Sequence, residues 1–186
     1  MDGLPGRGVV NFDNAVCLSA FCITSVSLLE TDLMWTCPKC KHKFYNKNQS
    51  HSCGNYTIED FLNGKKEKAV ELFNYFLSEY RKIGEFELHP VKTRVALLTK
   101  MRFCSINKLG KDFIDVHFVL TKPYEDNLCF YRIENLADRF FVHHLKIYNK
   151  ADINSEVKKF MELAYDTGKR KHIEDKKSKA ASRSIR

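Results

Sequence analysis

The sequence has little glycine and proline, with 8 and 4 of these among its 186 residues. This scarcity excludes collagen-like and linker-dominated chains, which are rich in both residue types. Seven cysteines are too few for a disulfide scaffold in a chain of this length, and their number is odd. A hydrophobic content of 44% and a charged content of 29% instead indicate one globular domain with a small appendage.

The N-terminal region lacks the features of a membrane or secretory segment. Its uncharged stretch, residues 14–29, has 16 residues, whereas a spanning helix needs about 20. A secretory signal would begin with basic residues, but only Arg7 precedes the stretch, alongside Asp2 and Asp13. Residues 1–33 are therefore interpreted as an extension of doubtful structural role. An accessory strand and an uncleaved anchor are the alternatives.

The net charge of +8 is concentrated at one end of the chain. Residues 168–186 contain eight lysines and arginines and two acidic residues, which leaves residues 1–167 with a net charge of +2. Because the end segment has no apolar period, we predict that residues 169–186 form a basic, disordered tail. Such a tail either improves solubility or contacts phosphate groups.

Four residues of metal-ligand type occur between positions 37 and 53. Cys37 and Cys40 have the C-x-x-C spacing, which lets two thiolates bind one ion from a tight turn. His51 and Cys53 are two residues apart, so in an extended chain their side chains point to the same side. Three sulfurs and one imidazole complete a tetrahedral zinc shell with no open position, as in structural sites. The sequence therefore predicts a structural zinc knuckle at residues 34–56.

Other interpretations of the same residues are open. His42 follows Cys40 closely and is a rival fourth ligand, although the pair His51 and Cys53 closes the loop more naturally. A redox role for the C-x-x-C motif needs a βαβ context. A disulfide needs an oxidising compartment. The sequence indicates neither.

The predicted knuckle combines basic and aromatic residues. Four lysines and no acidic residue lie between Cys37 and Cys53, so a divalent ion with three thiolates leaves a net charge of about +3. Interleaved lysines and rings can hold phosphates while the rings stack on bases. The candidates for such contacts are Lys41, Lys43 and Tyr45, whereas Trp35 is expected to pack the knuckle onto the main domain.

Residues 57–168 are predicted to form an α+β domain. A short helix follows a cap at Thr57, and an apolar stripe predicts a second helix over residues 65–83. A last helix, capped by Asp152, is expected to end at Gly168. Strand patterns cover residues 86–89, 93–99, 100–106, 112–120, 128–133 and 139–148. Strands with short connections pair antiparallel, so two main helices should cover one face of an antiparallel sheet.

Polar side chains on these strands are candidates for a ligand-binding or catalytic surface. Asp115 and His117 lie two apart and share one face of their strand, whereas the adjacent His143 and His144 point to opposite faces. The cationic candidates are Lys92, Arg94 and Arg102. Such a surface can bind phosphate or another anion, although an antiparallel sheet often has one ordinary solvated face.

Several separated motifs resemble one known family. They are M-W-T-C-P-K-C, N-Q-S-H-S-C-G, P-V-K-T-R, M-R-F and V-H-H-L-K, in this order between Met34 and Gly168. In these motifs the chain is similar to the bacterial domain-of-unknown-function family numbered 5655, whose members have a cysteine-rich start followed by one α+β domain. The resemblance implies a cytoplasmic protein with that fold, and it implies no agreed activity.

These observations support three hypotheses of function. The leading one is a zinc-binding module that binds nucleic acid or another polyanion through lysine, arginine and aromatic contacts. The second is a small hydrolase in which Asp115, His117 and one of the adjacent histidines act on a phosphate-containing substrate. The third is a protein-interaction module. The common motifs of hydrolases, nucleotide-binding proteins and metalloproteases are missing from the sequence, so no familiar enzyme class is indicated.

Overall fold

The structure is a computed structural model that describes residues 35–44, 46–51 and 53–173. Within these residues the chain forms a small hairpin followed by an antiparallel sheet with helices, which confirms the predicted α+β class. The predictions for residues 1–33, for Tyr45 and for residues 174–186 lie outside the described residues. The predicted disordered tail was wrong for residues 169–173, which continue from the last helix in hydrogen-bonded turns, with Lys169 N donating to Tyr165 O and Ile173 N donating to Arg170 O. None of the described helices is long and apolar enough to cross a membrane.

The N-terminal hairpin pairs strand β1 (Trp35–Thr36) antiparallel with strand β2 (Lys43–Phe44). The turn between them carries the C-x-x-C motif. It is closed by hydrogen bonds from Cys37 N to His42 O and from Lys41 N to Cys37 O, both 2.9 Å long. Lys41 has a φ of 61°, in the left-handed region that tight turns use. We call residues 35–53, as far as they are described, the knuckle.

Three α-helices follow: α1 (Ile58–Leu62), α2 (Glu67–Ile83) and α3 (Ser155–Gly168). The predicted cap of α1 is present, because the Thr57 side chain accepts a hydrogen bond from Asp60 N. The predicted cap of α3 was wrong. Asn154 caps this helix, whereas Asp152 accepts hydrogen bonds from the backbone of residues 148 and 149 around a single 3-10 turn. Two nearby residues of capping type made the sequence ambiguous here.

Six antiparallel strands form the main sheet in the order β3-β4-β5-β6-β8-β7. Their bounds are β3 (Glu87–Val91), β4 (Arg94–Leu98), β5 (Arg102–Leu109), β6 (Ile114–Leu120), β7 (Arg132–Leu136) and β8 (Phe140–Ile147). Pro90, expected to end a strand, lies inside β3, which is an edge strand where a missing N–H is tolerated. The strand predicted at 128–133 instead begins at Arg132, because residues 121–131 form turns and bends.

The core lies between one face of this sheet and the helices α2 and α3. Alternate residues of β6 enter it, namely Ile114, Val116, Phe118 and Leu120, as the alternation in the sequence predicts. The opposite face, which we call the far face, carries one residue from each strand in a continuous row across the sheet. The row runs through His89, Ala96, Ser105, His117, His144 and Arg132. Strand pairing therefore brings together polar residues that are distant in the sequence.

Candidate metal centre and basic cleft

The four predicted metal ligands meet in the knuckle. The ligand atoms of Cys37, Cys40, His51 and Cys53 all lie within 4.8 Å of one another. The sulfurs of Cys37 and Cys53 are 3.7 Å apart, and Cys40 Sγ is 3.3 Å from His51 Nε2. A tetrahedral ion bound at about 2.3 Å to sulfur needs neighbouring sulfurs about 3.8 Å apart. The four residues therefore lie close enough to hold one metal ion. Cys37 and Cys53 are free thiols in the structure, since bonded sulfurs would be about 2.05 Å apart.

The thiols of this cluster have opposite pKa shifts. Backbone N–H groups, first that of Cys40, donate to the Cys37 sulfur and lower its pKa to about 6. Loss of hydration and then the neighbouring sulfurs raise the pKa of Cys53 to about 11. Three thiolates at this spacing repel one another unless a cation lies between them. A divalent ion would supply that charge and release the remaining protons.

The histidine ligand is oriented by the backbone. His51 Nδ1 donates a hydrogen bond to the carbonyl oxygen of Gln49 at 2.7 Å, which leaves the lone pair of Nε2 for a metal. Such a partner on the second ring nitrogen is typical of metal-binding histidines. The rival ligand, His42, takes no part in the cluster, because its ring stacks on His89 at a centroid distance of 3.6 Å.

Aromatic contacts and one ion pair attach the knuckle to the sheet. Besides the stacking of His42 on His89, the ring of Phe44 contacts His89 edge-on at 5.5 Å. Lys43 pairs with Glu87 at 2.7 Å, so this candidate for ligand binding already has a partner within the chain. Trp35 packs within the knuckle, against Phe44 and His51, rather than onto the main domain as expected.

A cleft of about 410 Å³ lies between the knuckle, the β4–β5 turn, the β7–β8 turn and the residues that follow α3. Among the described residues its lining contains no aspartate or glutamate, and its basic side chains are Lys43, Lys100, Arg102, Arg139 and Arg170. A second cleft of about 240 Å³ shares Phe44, Gln49, His89 and Arg102 with the first and adds Lys92 and Arg94, again without an acidic residue. We call the two together the basic cleft. All three cationic candidates from the strands line it.

Within the described part of the basic cleft, three buried nitrogens have no hydrogen-bond partner: Arg94 Nε, Arg102 Nε and His89 Nδ1. Burial and the nearby charge of Arg94 lower the pKa of Arg102, which shows that two cations approach each other here. Among the described residues, no carboxylate pairs with either guanidinium. Burial, followed by the neighbouring His42, lowers the pKa of His89 to about 4, so its ring is neutral at neutral pH. This arrangement can accept an anion.

A second cluster occupies the far face of the sheet. Ligand atoms of Asp115, His117 and His144 lie within 4.8 Å of one another, because His117 pairs with His144 across β6 and β8. Tyr131 donates a hydrogen bond to Asp115 Oδ2 at 2.8 Å, and Glu134 Oε1 lies 2.9 Å from His144 Nε2. No sequence pattern pointed to Tyr131 or Glu134 here, nor to His89 in the basic cleft. Only the strand order, which no local pattern encodes, places these residues at the two sites.

Three further candidates, His143, Lys41 and Lys92, lie outside the far-face cluster. His143 is fully buried on the helix side, where its ring nitrogens contact the carbonyl oxygens of Phe141 and Pro123. It therefore does not belong to a ligand-binding surface, although the prediction that it points away from His144 is confirmed by the alternation of β8. Lys41 is exposed in the knuckle, and Lys92 is exposed at the turn between β3 and β4.

No family model, curated protein or solved structure matches this chain. The resemblance to family 5655 therefore stays a prediction. The fold and the sites define an α+β protein with a Cys3His cluster able to hold a metal ion.

Proposed function

We propose that the protein is a zinc-binding module that binds single-stranded nucleic acid by its phosphates in the basic cleft. The observation that carries this proposal is the pair Arg94 and Arg102, two neighbouring, partly buried cations whose charges no described carboxylate neutralises. Burying such charges without a counter-ion is costly, and a bound phosphate would remove that cost. Arginine suits this role because its planar guanidinium can bind phosphate through two N–H donors.

Zinc is the metal that the ligand set of the knuckle favours. Three thiolates and one imidazole are soft to intermediate ligands, which suit zinc and do not suit magnesium or calcium. Four protein ligands leave no open position for a substrate on a tetrahedral ion. The role of the metal in this proposal is therefore to hold the knuckle in the shape that forms one wall of the basic cleft.

The composition of the cleft supports a nucleic acid rather than a single small anion. Lys92 precedes β4 and Arg139 lies at the β7–β8 turn, level with the other end of β4, so the cations are spread over about the length of a five-residue strand, farther than one phosphate group reaches. Phe140 lines the same cleft, is only half-buried and provides apolar surface for the face of an unpaired base, whereas Phe44 is buried in the core of the knuckle. Because phosphate contacts dominate such an interface, little discrimination between sequences is expected.

The proposal is tested by titrating the intact protein into a fluorescently labelled single-stranded oligonucleotide and measuring anisotropy at several salt concentrations. Arg94→Gln and Arg102→Gln should each weaken binding about tenfold or more, since a charge-assisted hydrogen bond contributes about 1.5–3 kcal/mol. Each should also flatten the dependence of log K on log salt by about 0.7 for every phosphate that the variant no longer neutralises.

The matched control is Arg81→Gln, an exposed arginine on α2 that does not line the basic cleft. This variant makes the same change in net charge, so it should bind nearly as the wild type does. Equal weakening by all three variants would indicate unspecific attraction, and no binding at low salt would refute the proposal. Heparin is a competitor without bases. If it displaces the oligonucleotide when its sulfate concentration equals the phosphate concentration of the oligonucleotide, the ligand class would be polyanions in general.

The sequence-based alternative, a hydrolase, is favoured by one observation. Asp115, His117 and His144 lie together on the far face of the sheet. Burial, followed by the neighbouring His144, lowers the pKa of His117 to about 4, which leaves a neutral imidazole able to act as a base. Release of nitrophenol from an aryl phosphodiester, abolished in His117→Ala and retained in Ser105→Ala, would support this alternative.

A further inference from the structure

We propose that Asp115, His117 and His144 bind a second metal ion, a divalent transition metal of the zinc class, on the far face of the sheet. The three ligand atoms lie within 4.8 Å of one another on two paired strands, β6 and β8. This inference rests on neither nucleic-acid binding nor the metal of the knuckle.

The unpartnered oxygen of Asp115 is the observation that a metal explains. Tyr131 fixes the carboxylate by donating to Oδ2 at 2.8 Å, whereas Oδ1 is buried and has no hydrogen-bond partner. The nearest ring nitrogen, His117 Nε2, is 3.9 Å from Oδ1, too far for a hydrogen bond. A carboxylate oxygen buried without a partner is costly. An ion between Asp115 and His117 would bind this oxygen directly.

The surroundings resemble those that orient metal ligands. The side chains are largely shielded from solvent, with exposed fractions of 16% for Asp115, 20% for His117 and 7% for His144. Glu134 Oε1 lies 2.9 Å from His144 Nε2, but the two atoms make no hydrogen bond, so this buried nitrogen is a second atom in the cluster without a hydrogen-bond partner. The hydrogen bond from Tyr131 to Asp115 is an outer contact of the kind that fixes a ligand before the ion binds.

The donor set determines the class of ion. Two imidazoles and one carboxylate suit Zn²⁺, Fe²⁺ or Co²⁺, whereas Mg²⁺ and Ca²⁺ prefer oxygen ligands alone. Three protein ligands leave an open position on a four-coordinate ion, in contrast to the closed shell of the knuckle. The second site is thus of the kind that can bind water or an oxygen of a substrate.

The experiment is a Co²⁺ titration of the chelator-treated full chain, followed by absorption spectroscopy and by metal analysis. The wild type should bind two equivalents, one for each cluster. Only the ion in the knuckle can show thiolate-to-cobalt charge-transfer bands, since the second site contains no sulfur. A Cys37→Ser/Cys53→Ser double variant should keep one equivalent without these bands.

Substitutions in the second site should have the converse effect. Asp115→Asn, which preserves shape, and His117→Ala should keep the charge-transfer bands and lose one equivalent. Tyr131→Phe, which removes the hydrogen bond to Asp115, should weaken the second equivalent about 10- to 100-fold. Ser105→Ala, next to His117 in the same row of the sheet, is the control and should retain both equivalents.

Two results would overturn the proposal. One is a wild type that binds a single equivalent and loses all of it in the cysteine double variant. The other is a second equivalent that persists in both Asp115→Asn and His117→Ala. If circular dichroism shows that His117→Ala is unfolded, the isosteric Asp115→Asn variant decides between these outcomes.

Discussion

The imidazole of His42 in the knuckle stacks on the imidazole of His89 in β3, with ring centroids 3.6 Å apart and planes tilted by 24°. Phe44 contacts the same His89 ring edge-on at 5.5 Å, so one buried strand residue receives two rings of the knuckle. These contacts hold the knuckle against the edge of the sheet. The position of the knuckle matters because it forms one wall of the basic cleft.

We expect His89→Ala to detach the knuckle from the sheet. The substitution removes two aromatic contacts, each contributing about 0.5–1.5 kcal/mol beyond the area that it buries. Hydrogen exchange of backbone amides in residues 37–44 should become faster, and the free energy of unfolding should fall. Glu87→Gln, which removes only the exposed ion pair with Lys43, should cost at most about 1 kcal/mol. A larger effect of Glu87→Gln would show that charge, rather than stacking, holds the knuckle.

We expect Cys53→Ser to lose one metal equivalent while the main domain stays folded. The knuckle has its own small core of Cys37, Cys40 and Phe44, which is separate from the core between the sheet and the helices. Metal analysis together with the far-ultraviolet circular dichroism of the sheet and helices measures both effects. Cys129→Ser is the matched control, since this half-buried thiol lies outside the metal cluster. Metal loss in the control would contradict the assignment of the ligands.

The sequence predicted the parts of the fold that depend on local patterns. In β6, strict alternation from Ile114 to Leu120 identifies the strand and its buried face, and the apolar stripe of α2 is equally regular. The strand end predicted at Pro90 was wrong because a proline is compatible with a strand at a sheet edge, and edge position is a tertiary property. The capping residue of α3 was misassigned because Asp152 and Asn154 are equally suited to the role.

The metal cluster in the knuckle was predictable because its four ligands lie within 17 positions and have a characteristic spacing. The far-face cluster was predictable only in part. Asp115 and His117 share a face by local alternation, but His144 joins them through the register of β6 and β8. His89 gave no signal at all. Its importance depends on the docking of the knuckle against β3, which the sequence does not specify locally.

Acid should destabilise the protein through His89. Burial lowers its pKa in the folded protein to about 4, whereas an unfolded chain has a histidine pKa of about 6.5. The unfolded state therefore binds more protons between these values, and stability is lost as the pH falls from about 6.5 to about 4. His89→Phe keeps a ring for stacking but cannot bind this proton. As the pH falls, the free energy of unfolding of the variant should therefore decrease less steeply than that of the wild type, and the two slopes should differ by up to about 1.4 kcal/mol per pH unit. Urea unfolding at pH 7, 6 and 5 measures this slope, and parallel curves for the two proteins would contradict the prediction.

Gly168→Ala should destabilise the protein although alanine favours helices. Gly168 is the last residue of α3, and an added Cβ would lie 2.6 Å from Phe103 Cδ1 and 2.7 Å from Thr99 Oγ1. This overlap should cost about 1–3 kcal/mol, more than the gain in helix propensity of about 1 kcal/mol. Thermal unfolding measures the difference. Gly64→Asn is the control, because Gly64 has open space and a φ of +68°, which asparagine tolerates.

Deleting residues 174–186 should weaken the binding of single-stranded oligonucleotides without unfolding the domain. The deleted segment carries five lysines and arginines and two acidic residues. Residues 169–173 are retained because Lys169 N donates to Tyr165 O, and Arg170 lines the basic cleft. If the tail binds phosphates, log K should depend less steeply on log salt, by about 0.7 for each phosphate that the shortened protein no longer neutralises.

The control is a full-length protein in which residues 174–186 are scrambled. If the tail acts only through its charge, the scrambled protein should show the same salt dependence of log K as the wild type. If the scrambled protein binds as weakly as the deletion variant, the tail must instead make contacts that depend on its sequence. An unchanged slope after deletion would show that the tail does not touch the nucleic acid.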